Sequence, residues 1–228
     1  MNATSPLTQA EFANETHRRL LQCALTLFAA QGYAATTVRE IIEAAGVTRP
    51  VLYYYCDNKE DLFKRVVHWT QDDAYDELER LLAETSGTID RLRAIIRGTF
   101  EFCAADPRIP QLMFQTTYAP AVSGLTEFLQ EMAERRFSII VQVMQEGIAA
   151  GDLHPGDAAS LALVFCSVMD HHVNTLCRLP HPEDNLTAER ADSLVDVFLN
   201  SVGTGRRHAP QLPTLDVDGG SPRPSARC

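Results

Sequence analysis

The stretch Thr37-Val38-Arg39-Glu40-Ile41-Ile42-Glu43-Ala44-Ala45-Gly46-Val47-Thr48-Arg49-Pro50-Val51-Leu52-Tyr53-Tyr54-Tyr55 decides how this sequence folds. Thr37-x-x-Glu40 has the reciprocal pattern that closes a helix N-terminus. Val38, Ile41, Ile42 and Ala45 then recur at helical spacing until Gly46, a residue that can adopt a left-handed cap. Thr48 is placed to start another helix, and Pro50 falls in its first turn, where a missing N–H is tolerated. Two short helices a tight turn apart make the spacing of a helix-turn-helix unit.

Outward from this unit the pattern stays helical. Leu20, Leu21, Ala24, Leu25, Leu27 and Phe28 stripe a preceding helix over residues 13–31, followed by Gly32. Asp57-Asn58-Lys59-Glu60 reads as a second capping box, opening a long helix with Leu62, Phe63, Val66, Trp69, Leu78 and Leu82. Further helices are expected at 88–105, 107–117, 124–150, 155–178 and 187–202. Asp106-Pro107, Gly151-Asp152 and Leu179-Pro180-His181-Pro182 separate them. The expectation is an all-α chain with a flexible start (1–12), a three-helix domain around the helix-turn-helix unit (13–57) and a second helical domain (58–202). A Gly-, Pro-, Ser- and Arg-rich tail (203–228) is expected to be disordered.

Composition excludes several classes. The 228 residues are 45% hydrophobic and 22% charged, an ordinary globular balance. The net charge of −10 rules out an evenly basic nucleic-acid coat, so any DNA contact must be local. Residues 1–68 hold seven basic and seven acidic side chains, so the whole excess of acid lies beyond them. The N-terminal part therefore repels phosphate least. The longest apolar run, 158–169, is broken by Ser160 and Ser167 and closed by Asp170. A membrane-spanning helix needs a much longer uninterrupted stretch. The six cysteines form no C-x-x-C pair, and the start carries no secretory signal. A reducing cytoplasm, no disulfide framework and no zinc are therefore expected. Asp170-His171-His172 does not change this, because adjacent helical side chains diverge by about 100°.

Within 49–55, Val51, Leu52 and Tyr55 fall on one side, leaving Arg49, Pro50, Tyr53 and Tyr54 to face outward. An arginine there can read guanine O6 and N7, and tyrosine hydroxyls can donate to phosphate. Gly32-Tyr33-Ala34-Ala35-Thr36-Thr37-Val38-Arg39-Glu40-Ile41, Ala44-Ala45-Gly46-Val47-Thr48, Leu52-Tyr53-Tyr54-Tyr55 and Asn58-Lys59-Glu60-Asp61-Leu62 together resemble the N-terminal domain of the tetracycline-repressor (TetR) family over about residues 13–65. Ile42 and Cys56 depart from that pattern, which more often has a small alanine and a bulky aromatic at these places. The resemblance implies a homodimeric transcription factor, usually a repressor, that binds a double-stranded, palindromic operator and leaves it on binding a small molecule. It implies Arg49 and Pro50 as base readers with Tyr54 beside them, and Thr37, Val51 through its backbone, Tyr53, Tyr55 and Lys59 on phosphates. Thr37 also has its capping duty and Tyr55 a place in the core.

The resemblance also implies that the remaining helices (58–202) form an effector-binding and dimerisation domain, enclosing a largely apolar effector with Phe100, Cys103, Met113, Phe114, Thr117, Tyr118, Phe137, Val141, Phe165, His171 and Asn174. Leu161, Val164, Val168, Leu194, Val195 and Phe198 are expected to join two copies. No metal, cofactor or membrane partner is expected. An enzyme is disfavoured because no nucleophile elbow, phosphate loop or dinucleotide fingerprint is present. A helical ligand- or protein-binding module without sequence-specific DNA binding is the alternative.

Overall fold

The computed structural model describes residues 9–118 and 124–202, with side chains at 9–14, 73, 117 and 118 left aside. The expected flexible start up to residue 8 and the tail beyond 202 lie outside the described residues. Every element among the described residues is a helix: α1 (Gln9–Ala35), α2 (Val38–Ala45), α3 (Arg49–Tyr55), α4 (Lys59–Glu84), α5 (Thr88–Ala105), α6 (Arg108–Tyr118), α7 (Thr126–Ala150), α8 (Ala158–Leu176) and α9 (Ala188–Val202), with a 3₁₀ turn at Pro182–Asp184. The chain divides into two compact units, residues 1–73 with 111–130, and residues 74–110 with 131–228.

In the first unit the caps decide where helices end. The Glu40 amide donates to Thr37 Oγ1 at 3.2 Å. The Thr37 amide donates to the Glu40 carboxylate at 2.8 Å, so the expected box is formed. Gly46 ends α2 in the left-handed region, at φ 61° and ψ 36°. A side chain would be strained in that conformation. The helical run of α1 breaks at Gly32 (φ 79°, ψ 166°), where a glycine is expected, and a further helical turn follows to Ala35. One expectation shifts. The α4 cap lies one residue later than expected. The Asp61 amide donates to Asn58 Oδ1 at 2.9 Å, and Asp61 returns its carboxylate to the Asp57 amide at 3.0 Å.

The core of this unit is Leu20, Ala24, Leu25 and Phe28 of α1, Ile41 of α2, Leu52 of α3, and Leu62, Phe63 and Val66 of α4, all at or below 1% exposure. Phe28 and Phe63 meet edge to face at 5.0 Å, and Tyr33 meets the Phe63 ring at 5.2 Å, a favoured aromatic geometry. Arg19 Nε donates to the Ala45 carbonyl at 3.0 Å, tying α1 to the last turn of α2.

The second unit is built on one continuous apolar core that includes Leu92, Ile96, Phe100, Met144, Phe165, Leu194 and Leu199. Helix α5 packs on α9, and ion pairs from Arg97 to Asp192 (Nε–Oδ1 2.7 Å) and from Arg93 to Asp196 (3.0 Å) frame that contact. Gly147 allows a close approach: a Cβ there would lie 2.5 Å from Thr88 Cγ2. Among the described residues no helix is long and apolar enough to cross a membrane.

Candidate DNA-binding surface

Helix α3 is only seven residues long, too short to be stable alone. It is held because Leu52 is fully buried, while Val51 and Tyr55 are half-buried. Tyr55 stacks on His17 of α1 with ring centres 4.8 Å apart and planes 6° from parallel. Thr48 precedes α3 in extended conformation, but its side chain makes no cap hydrogen bond. The N–H groups of that first turn therefore keep no side-chain acceptor from it. Cys56 ends the helix buried, and burial pushes its thiol up to about 11.

The opposite side of α3 carries Arg49, Pro50, Tyr53 and Tyr54, all exposed, as their sequence positions require. Tyr54 is 78% exposed and Tyr53 45%, which is unusual for phenols on a water-facing surface. This side therefore presents a guanidinium, an apolar ring and two phenols on a rigid support, the groups that read base edges and phosphates.

Two proposed phosphate contacts have other duties in the structure. Thr37 gives its hydroxyl to the Glu40 carboxylate at 2.7 Å and stays exposed. Lys59, expected on phosphate, instead turns inward. Its ammonium donates to the Tyr33 and Thr36 carbonyls, both at 2.9 Å, and lies 4.2 Å above the Tyr33 ring. Sequence reasoning missed this because the acceptors are backbone carbonyls, which no side-chain pattern announces.

Of the expected effector-site residues, Met113 and Phe114 are half-buried in the first unit, while Thr117 and Tyr118 fall in α6 with side chains outside the described residues. In the second unit Phe100, Cys103 and Phe165 are buried, and Phe137, Val141 and Asn174 are half-buried. His171 is exposed on α8, so it does not line an interior site; its place in the helical turn puts it outward beside Ser167. His172 instead has Nδ1 at 2.8 Å from the Val168 carbonyl. Burial pushes the Cys103 thiol up to about 12 and those of Cys166 and Cys177 up to about 11. They are therefore protonated and poor nucleophiles at neutral pH. No group of three or more His, Cys, Asp or Glu suited to a metal occurs among the described residues.

The expected dimer residues divide. Leu194, Val195 and Phe198 are 1%, 0% and 6% exposed within a single copy, so they are not surface groups. The reason is the packing of α5 on α9, which uses the richest apolar side of α9 internally. Leu161 and Val168 are not both fully enclosed by the core: Val168 is half-buried, as is Leu161, and Val164 is exposed. The outward apolar groups are Leu163 at 61%, Val164 at 51% and Val197 at 37%. Leu163 and Val197 lie beside the expected residues, one helical position away, where periodicity alone does not resolve the outer face.

A reading helix backed by a buried leucine, behind a left-handed glycine turn, defines a helix-turn-helix DNA-binding protein. Residues 20–66 match the model of the bacterial regulatory proteins of the tetR family. It is 29% identical over 138 residues to the HTH-type transcriptional repressor KstR2 of Mycolicibacterium smegmatis, a match covering 60% of this chain and 66% of that protein. The fold is similar to that of the ketosteroid transcriptional regulator KstR2 of Mycobacterium tuberculosis, with a TM-score of 0.69 at 20% identity, covering 83% of this chain and 95% of that one. It is also similar to the transcriptional regulator FadR of Bacillus subtilis in complex with stearoyl-CoA, with a TM-score of 0.68 at 20% identity, covering 80% and 97% of the two chains.

Proposed function

We propose that this chain is a homodimeric transcriptional repressor that binds a palindromic DNA operator in the cytoplasm and leaves it on binding a small, largely apolar effector. The observation that carries the reading is the two-sidedness of α3: Leu52 is sunk in the core, while Arg49, Pro50, Tyr53 and Tyr54 face outward. Arg49 and Pro50 read base edges with Tyr54, and Tyr53 donates to a phosphate. Thr37, the Val51 amide and Tyr55 flank them along the backbone. Lys59 supports the surface from behind.

A two-fold dimer spaces two such helices about 34–36 Å apart, in successive major grooves. The effector site lies among the second unit's apolar side chains, with Phe100, Cys103, Phe137, Val141, Phe165 and Asn174 as its walls. The FadR and KstR2 relatives are transcriptional regulators, which supports a regulatory rather than catalytic role.

Selection of bound duplexes from a randomised pool tests this reading. The expected result is an inverted repeat that Arg49→Ala no longer prefers, at a cost of about 1–3 kcal/mol in discrimination, while the oligomer survives light scattering. Recovery of no preferred sequence by the native chain overturns the DNA-binding reading and favours a protein-interaction module.

A further inference from the structure

The first unit has seven lysines and arginines, and five of them are held by groups of the protein itself. Arg18 pairs with Glu15, Arg39 with Glu43, Lys64 with Glu60 and Arg65 with Asp61. Lys59 is bound to two carbonyls. Arg19 of α1 and Arg49 of α3 are the two that meet no carboxylate among the described residues, and both are exposed.

Arg49 stands on the reading side of α3. Arg19 is fixed near it from another helix. Its Nε donates to the Ala45 carbonyl at 3.0 Å. Ala45 is buried and is the last residue of α2. The bond therefore seats the guanidinium at the turn of Gly46, Val47 and Thr48 that leads directly into Arg49. Only Nε is engaged, so the terminal nitrogens keep their N–H donors for a further partner.

In a helix-turn-helix the first residues of the recognition helix reach base edges, while the element before it crosses the phosphate backbone. A guanidinium anchored at the turn between those two elements stands at the rim of the groove, where phosphate oxygens lie. Electrostatics favours the same position. The whole chain carries a net charge of −10, so a phosphate backbone is drawn only where positive charge is left uncompensated. A guanidinium already held through Nε also has less freedom to lose when it binds.

We propose that Arg19 is a phosphate contact of the DNA-binding surface, contributed by α1 and aimed by the Ala45 carbonyl, beside the base-reading Arg49. Such a contact adds affinity for any duplex and no base preference. It lies before the helix-turn-helix in sequence, and its anchor is a backbone carbonyl 26 residues later, so residue spacing does not announce it. The inference rests on the DNA-binding reading.

Arg19→Gln tests it, because glutamine carries its amide nitrogen as far along the side chain as Nε: the donor to Ala45 is kept and the charge is removed. The duplex recovered by operator selection is titrated at several salt concentrations. The variant is expected to bind roughly tenfold more weakly than the native chain. The slope of log affinity against log salt is expected to shrink by about one charge, with the preference over a mixed-sequence duplex kept. Arg18→Gln, next in the chain but paired with Glu15, is expected to leave the slope unchanged. Arg19→Met serves as the uncharged variant if Arg19→Gln fails to fold. An unchanged slope in the uncharged variant, an equal loss of slope in Arg18→Gln, or loss of the duplex preference in Arg19→Gln overturns the inference and leaves the DNA-binding reading standing. A native chain that binds no duplex overturns both.

Discussion

Lys59 is bound to the backbone at Tyr33: its ammonium donates to the Tyr33 carbonyl at 2.9 Å and lies 4.2 Å above that residue's own ring. With the second bond to Thr36, it closes the broken end of α1 onto the first residue of α4. The last carbonyls of a helix carry partial negative charge, so a cation there is doubly favoured. Desolvation by the surrounding packing lowers the Lys59 pKa, the expected response of an ammonium drawn from water.

Lys59→Met keeps the aliphatic stem and removes both bonds. The expected loss is about 1–3 kcal/mol of stability, a fall of roughly 2–4 °C in Tm per kcal/mol for a chain of this size. DNA affinity should weaken while its dependence on salt concentration keeps the same slope, read by titrations at several ionic strengths. A slope smaller by about one charge would show instead that the ammonium reaches a phosphate.

His17 gives a pH dependence of known sign. Burial first, and then the Arg65 charge, lower its pKa below the ordinary 6.5. Its Nε2 is buried and finds no hydrogen-bond partner among the described residues, so a proton added there has no acceptor. Between the lowered value and 6.5 the unfolded chain binds more protons than the folded one. Stability therefore rises with pH across that interval and is lost as pH falls below about 6.5. His17→Phe keeps the stack on Tyr55 and removes the titration. Thermal melts from pH 7.5 to 5.5 should show a smaller acid-side loss for this variant than for the native chain; parallel losses would show that His17 does not contribute.

Two glycines in helices of the second unit separate packing from propensity. A Cβ on Gly147 would lie 2.5 Å from Thr88 Cγ2 and 2.9 Å from Leu153 Cδ1, whereas a Cβ on Gly98 would meet nothing within 4 Å. Gly147→Ala is expected to destabilise by about 1–3 kcal/mol through overpacking. Gly98→Ala is expected to stabilise by up to about 1 kcal/mol through helix propensity. Chemical denaturation of the two variants checks the opposite signs.

The elements that sequence reads well are those fixed by local chemistry. Thr37 and Glu40, Gly46, and the alternation of Leu52 with Tyr53 and Tyr54 all act over four residues or fewer, and the structure has them where spacing puts them. Misplaced features depend on distant partners. Lys59 turns to carbonyls 23 and 26 residues earlier in the chain. The Arg136–Asp170 pair links positions 34 residues apart. Its one sequence trace is the charge that closes the apolar run of α8.

The outer face of the second unit yields a contrast between neighbouring apolar residues. Ser160, Leu163, Val164, Ser167 and His171 are exposed along one side of α8 at spacings of three and four, with Val197 exposed on α9. Large aliphatic groups left in water at such spacing are the material of a helix–helix interface, and the proposed dimer needs one. Leu194, by contrast, is 1% exposed within one copy. A charge at Leu163 would be tolerated by a lone copy but would meet its own symmetry mate across a two-fold axis. Leu163→Asp is therefore expected to give a folded monomer by sedimentation, with its Tm no longer dependent on protein concentration. Leu194→Ala is expected to cost about 2–5 kcal/mol of stability while the remaining folded protein stays dimeric. If Leu163→Asp remains a dimer, the joining surface lies elsewhere than on this side of α8.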